Sequence, residues 1–108
     1  GDHRRTRPVL ILQNDVGNYY SPTIIVTPAT TRRHKRLNMP THVLLTDIDG
    51  LQDDTVFMLE AIRTIDKRRV RSYAGKLTDE QMAAIDAALR VSLRLGEDDY
   101  LTTEVEAP

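Results

Sequence analysis

The sequence has no cysteine and no tryptophan, a single phenylalanine, only five glycines and no long apolar run. Each shortage removes a class of explanation. Without cysteine there is no disulfide framework, no thiolate nucleophile and no sulfur ligand for zinc. His3, His34 and His42 are scattered without ligand-type spacing, so no metal and no cofactor is expected. Asp47, Asp49, Asp53 and Asp54 lie close together, but the calcium-loop pattern with its closing Glu is missing, and a solvated acidic turn is expected. The glycines form neither a G-x-G nor a G-K-[ST] phosphate cradle, and there is no Gly-x-Ser-x-Gly elbow. Four tyrosines and one phenylalanine are too few for an aromatic platform of the RRM kind. No apolar stretch approaches the roughly 20 residues of a membrane helix, and no signal-peptide pattern is visible. A cytoplasmic protein with no membrane partner is therefore expected.

What remains is one domain's worth of chain: 108 residues, 40% hydrophobic and 29% charged, which bounds a small but adequate core. The domain is expected over residues 1–96, with 97–108 an acidic, aperiodic tail. The net charge of −1 conceals an asymmetry. Residues 1–77 hold 13 Lys/Arg against 8 Asp/Glu, a balance of +5, while residues 78–108 hold 2 against 8, a balance of −6. The cations cluster at Arg4, Arg5 and Arg7, at Arg32, Arg33, Lys35 and Arg36, and at Arg63, Lys67, Arg68, Arg69 and Arg71. Solvated loops account for any one such cluster. Three in one part of the chain favour a polyanionic partner.

Arg7-Pro8-Val9-Leu10-Ile11-Leu12 reads as a strand buried on both faces, with Pro8 at its start, where no ladder donor is needed, and Arg7 at its mouth. Asn14 to Pro22 is rich in turn formers and is read as a loop. Thr23 to Thr27 is β-branched almost throughout and predicts a second strand, which Pro28 and Ala29 carry toward an edge and Thr30-Thr31 end. Thr41 to Thr46 and Thr55 to Ile62 are a third and fourth strand about a turn containing Asp49-Gly50. Arg63 to Asp66 follows the fourth strand directly, Lys67 to Arg69 makes a basic turn, and Val70 to Ala74 is read as a short last strand. One helix is predicted from Thr78, where Thr78 and Gln81 form a capping box and Leu77 and Met82 a hydrophobic staple. Met82, Ile85, Leu89, Ser92 and Leu93 line one face, and Gly96 is the natural C-cap. Strands followed by a terminal helix predict an α+β, mainly β fold: a small, strongly curved antiparallel sheet or barrel.

The polar residues left at strand ends are Arg7, Thr30, Glu60, Arg63 and Thr64. An arginine stays charged and grips phosphate with a fork of donors, and a threonine hydroxyl can donate to a phosphate oxygen. Donors so clustered stabilise charge developing on an oxyanion, which suits RNA cleavage by its own 2′-hydroxyl. A structural arginine paired with Glu60 or Asp66 accounts for the same residues equally well. His42, within a strand, reads as a half-exposed structural histidine.

Beyond spacing, four collinear segments carry a resemblance: Arg7 to Asn18, Ser21 to Val26, Pro40 to Val43 and Leu59 to Lys67. Together they resemble the MazF/PemK-type toxin endoribonucleases from Arg7 to about Leu95. The resemblance implies an SH3-like antiparallel barrel of the CcdB/MazF type with a C-terminal amphipathic helix, paired into a homodimer. It implies metal-independent, sequence-specific cleavage of single-stranded mRNA and inhibition by a cognate antitoxin with an acidic, flexible segment. Arg7 matches the family's catalytic arginine and Thr30 its catalytic threonine. Arg5, Thr31, Arg32, Arg33, Lys35, Arg36 and Arg63 are the expected RNA-binding residues. The alternatives are a CcdB-like toxin that binds a protein such as a gyrase, and an inactive RNA-binding homologue. Three departures stand out, one being the loop that borders the family's active site: often rich in Gly, Glu and Gln, it is here the much more basic Gly1 to Thr6, which bears on substrate gating and base preference. Nothing before Arg7 supplies the R-G-D-V-x-x-x-D-L strand with which family members usually begin, which implies an unpaired barrel edge or further residues. Ala61 also stands where many members carry Gln.

Overall fold

The computed structural model describes residues 7–12, 15–31 and 39–96. Arg5, the cluster from Arg32 to Arg36 and the acidic tail from Glu97 lie outside the described residues. The elements are β1 (Val9–Ile11), α1 (Asp15–Tyr20), β2 (Thr23–Thr31), β3 (His42–Leu45), β4 (Thr55–Met58), β5 (Arg63–Asp66) and α2 (Asp79–Leu93). Two 3-10 turns, Leu59–Ala61 and Lys67–Arg69, flank β5. All strand pairs are antiparallel, in the order β1-β2-β4-β3, with β5 also on β2. This is the expected class: a mainly antiparallel, barrel-like sheet with a C-terminal helix.

The strand β2 organises the sheet. It runs nine residues, straight through Pro28 and Ala29 to the expected end at Thr30-Thr31. On one edge it pairs with β1, Val9 opposite Pro28 and Ile11 opposite Val26. On the other it pairs first with β5 through Thr23 to Val26, then with β4 through Ala29 to Thr31. Between those two ladders the facing chain inserts the 3-10 turn Leu59–Ala61, so the expected continuous strand from Thr55 to Ile62 is broken there. The insertion explains how a proline survives mid-strand. Leu12 N–H donates to Ile25 O at 2.8 Å, so two-residue alternation makes Val9–Pro28 a non-hydrogen-bonded pair. The donor Pro28 lacks would have pointed to the other edge, where the ladder is interrupted anyway. Thr27 Oγ1 donates to Met58 O at 2.9 Å and satisfies a carbonyl at that break.

β2 also changes which of its faces is buried. Ile24 and Val26 are buried on one face; from Thr27 onward it is Thr27 and Ala29 on the other. Ala29 joins Leu45, Ile48, Phe57, Leu59, Ile85 and Ala88 in the core against α2. The helix begins with the capping box expected of Thr78 and Gln81, and Leu77 and Met82 pack on the core. Gln81 Nε2 donates to Thr46 O at 3.0 Å and Ser92 Oγ to Leu59 O at 2.8 Å, which ties the helix down near both ends. Leu93 is exposed, and Ala88 takes the buried place between Ile85 and Ser92.

Four further expectations are corrected. β1 is not buried on both faces: Val9 is 40% exposed and Leu10 and Ile11 are only half-buried, because among the described residues β1 pairs with β2 alone. The turn-former-rich stretch before Pro22 contains the short helix α1, opened by Asp15 and leaving Val16, Tyr19 and Tyr20 exposed, so it has no buried stripe to announce it. Val70 to Ala74 forms no strand. The C-cap of α2 is Arg94 rather than Gly96: Arg94 adopts φ 58°, and Leu95 N–H bonds Arg90 O while Arg94 N–H bonds Val91 O, a Schellman closure on a non-glycine residue. Glycine is instead indispensable at Gly75, where a Cβ would meet the Asp49 carbonyl oxygen at 2.1 Å.

Candidate active site

Carrying the β1–β2 register two residues past Val9–Pro28 sets Arg7 across from Thr30. Side chains two apart share a face, so Arg7, Val9, Pro28 and Thr30 stand together on one side of this strand pair. Arg63 joins the same face from β5, opposite Val26. These five line a cleft of about 370 Å³ completed by Pro8, Ala29 and Met58. The structure thus brings together both expected catalytic residues and one expected RNA-binding residue.

Thr31 does not line this cleft. Alternation turns it to the Ala29 face, and its hydroxyl is buried without a hydrogen-bond partner. Thr64 is exposed on β5, opposite Ile25 and outside the cleft.

The carboxylates that sequence alone allowed as arginine partners are committed elsewhere. Glu60 accepts a hydrogen bond from Thr41 Oγ1 at 2.8 Å and lies 2.9 Å from His42 Nε2. Burial pushes the Glu60 carboxyl up. Hydrogen bonds from His42, its own backbone N–H and Thr41 outweigh that and hold it below its ordinary value. Asp66 receives the Arg68 guanidinium at 2.8 Å and the Arg68 backbone N–H, which lower its carboxyl to about 2. Arg7 and Arg63 therefore make no ion pair among the described residues. Two guanidinium groups and a hydroxyl lining one cleft, with no carboxylate among the described residues to neutralise them, have the chemistry to hold an oxyanion.

His42 differs from its expected half-exposed state. Its side chain is 2% exposed, packed beside Glu60, with Nδ1 buried and unpartnered. It takes no part in the cleft. Among the described residues no cluster of His, Asp and Glu could hold a metal, and no helix is long and apolar enough to cross a membrane. Sequence reasoning missed the apolar members of the cleft, Val9, Pro28 and Met58. The signal available was Pro28, a proline inside a β-branched run.

A family profile described as a PemK-like, MazF-like toxin of type II toxin–antitoxin systems matches residues 1–93. The chain belongs to this family. Endoribonuclease EndoA of Bacillus subtilis is 47% identical over 93 residues, covering 82% of this chain and 77% of EndoA. The Mycobacterium tuberculosis toxin MazF-mt6 superposes with a TM-score of 0.74 at 26% identity, over 84% of this chain and 89% of its own. A mycobacterial endoribonuclease solved in complex with its cognate antitoxin gives 0.73 at 27% identity, over 85% and 84%. The MazF/PemK resemblance read from the four segments is borne out, and the CcdB-like alternative is not favoured.

Proposed function

We propose that this MazF/PemK-family toxin is an endoribonuclease cutting single-stranded mRNA at a short specific sequence, with Arg7 and Thr30 at the scissile phosphate. The observation that carries this reading is the convergence of Arg7, Thr30 and Arg63 on one cleft, free of carboxylate partners among the described residues. In the reaction the 2′-oxygen bonds to phosphorus and the P–O5′ bond breaks. The proton lost from the 2′-hydroxyl is made good at the departing 5′-oxygen. Charge accumulates on the phosphate oxygens as phosphorus becomes crowded, and there the guanidinium of Arg7 and the hydroxyl of Thr30 donate. Arginine is a poor general base at neutral pH, so Arg7 acts chiefly as an electrostatic clamp. Arg63 holds a neighbouring phosphate, and Arg5, Arg32, Arg33, Lys35 and Arg36 extend the RNA contact, whereas Thr31, its hydroxyl buried on the Ala29 face, drops out of the expected RNA-binding set.

The partners of this reading are single-stranded RNA in the cytoplasm, a second copy of the chain in a homodimer, and a cognate antitoxin whose acidic segment competes for the same cations. Solved relatives that include a toxin–antitoxin complex support the antitoxin. Incubation with a labelled single-stranded RNA in EDTA, beside Arg7→Ala and Thr30→Ala, tests the reaction. Cleavage at one fixed motif, lost in both variants, is the expected result. RNA that binds and stays intact would establish a binding-only homologue instead. Antitoxin binding should weaken steeply with salt, and salt-insensitive affinity would mean a chiefly apolar contact.

A further inference from the structure

The cleft has two chemistries laid out in order along β2. At the level of Val26 stands Arg63; at the level of Thr30 stands Arg7; between them, at the level of Pro28, the lining is Val9 and Pro28, with Met58 at the end of β4. Four residues of strand separate the two cationic ends, about 13 Å at roughly 3.3 Å per residue. Among the described lining residues, none in this middle section has a polar side chain, and none could read a base edge by hydrogen bonds. A purely phosphate-binding groove has no need of an apolar centre. A partly exposed apolar floor, flanked by two cations without an ion-pair partner among the described residues, suits a ligand that is charged at both ends and flat and apolar between. One nucleotide with its two flanking phosphates has that form.

Building on the proposed endoribonuclease reading, we infer that Val9, Pro28 and Met58 form a nucleobase seat between two phosphate sites, with Arg7–Thr30 at one and Arg63 at the other. The proline ring and the valine methyls offer a flat apolar surface, and the methionine thioether makes favourable contact with an aromatic edge. The cleft volume of about 370 Å³ lies at the lower end of small-ligand sites, suited to one nucleotide unit. Recognition here is by stacking and shape; base identity at this position is set by how well the ring covers the floor.

The test uses a non-cleavable RNA spanning the cleavage motif, with a 2′-deoxy sugar at the cut, and a series in which each nucleotide in turn is made abasic. In the wild-type protein, one abasic position beside the cut should weaken binding about tenfold, the scale expected for burying one flat ring. In Met58→Ala and Pro28→Ala, the same abasic substitution should cost less than threefold, because the floor it lost contact with is already reduced. Wild-type abasic scanning stands independently of whether either variant folds, and Met58→Leu should keep the full abasic penalty. A flat abasic scan in wild-type protein that still cleaves intact RNA would overturn the seat and leave the nuclease reading standing. A penalty unchanged in both folded variants would place the seat elsewhere. Failure of the wild-type protein to cleave or bind any RNA would remove the nuclease reading itself, and the seat with it.

Discussion

The two faces of β2 near its C-terminal end have opposite fates. Toward the helix, Ala29 sits in a core where Ile85, Leu59 and Phe57 are almost fully buried and most polar groups that enter are paired, Ser92 with Leu59 O, Gln81 with Thr46 O and Thr41 with Glu60, with the Thr31 hydroxyl an exception. On the opposite face, Pro28 and Thr30 floor a cleft whose arginines have no ion-pair partner among the described residues. One side of the strand is optimised for stability and the other withholds neutralisation from its charges. Unpaired like charges facing one cleft repel one another, so the cleft persists because the opposite face is well packed.

The comparison breaks most sharply if Arg7 proves structural. Arg7→Ala should lower cleavage about 100- to 1,000-fold, in the range of losing one preorganised donor to an oxyanion, with the melting temperature unchanged. Single-turnover cleavage beside calorimetry reads both. Next is the converse on the helix side. Ile85, with no exposed surface, should cost about 2–5 kcal/mol as Ile85→Ala by urea denaturation, while cleavage per folded molecule stays close to wild type. Thr78→Ala should cost about 1 kcal/mol by the same measurement, because it removes the acceptor for Gln81 N–H and opens the capping box.

The smallest effect is a pH dependence. Glu60 has its folded pKa below the ordinary 4.5, so its contribution to stability is fully present above that value and fades as pH falls through the folded pKa. Asp66 acts in the same sense between 3.8 and about 2. Glu60→Gln should flatten the part of the acid limb just below pH 4.5 in thermal melts, whereas the Arg7→Ala protein should follow the wild-type profile.

Much of this was legible in residue order. The helix from Thr78 announced itself because capping and a core-facing stripe act within a few neighbouring residues. β3 and the turn at Asp49-Gly50 were also local, and Gly50 adopts φ 86° as such a turn requires. The break at Leu59–Ala61 was not legible: Thr55 to Ile62 is a continuous apolar run, and only the need to pass from one end of β2 to the other inserts a turn there. α1 was hidden for a different reason. Its exposed Val16, Tyr19 and Tyr20 leave it no hydrophobic period.

For the site, residue types in the chain named Arg7, Thr30 and Arg63 as candidates and left two uses open, gripping an anion or pairing with Glu60 or Asp66. Residue order settles the inventory: which groups carry permanent charge, which strands could form, where the helix starts and which family the segments resemble. Tertiary structure alone decided the assignment, by spending Glu60 on Thr41 and His42, spending Asp66 on Arg68, and carrying the β1–β2 register on so that Arg7 faces Thr30. The physical reason is range. Caps and periodic faces are set by neighbours along the chain, whereas an ion pair or a cleft depends on residues tens of positions apart, whose meeting is known only once strand order and register are known.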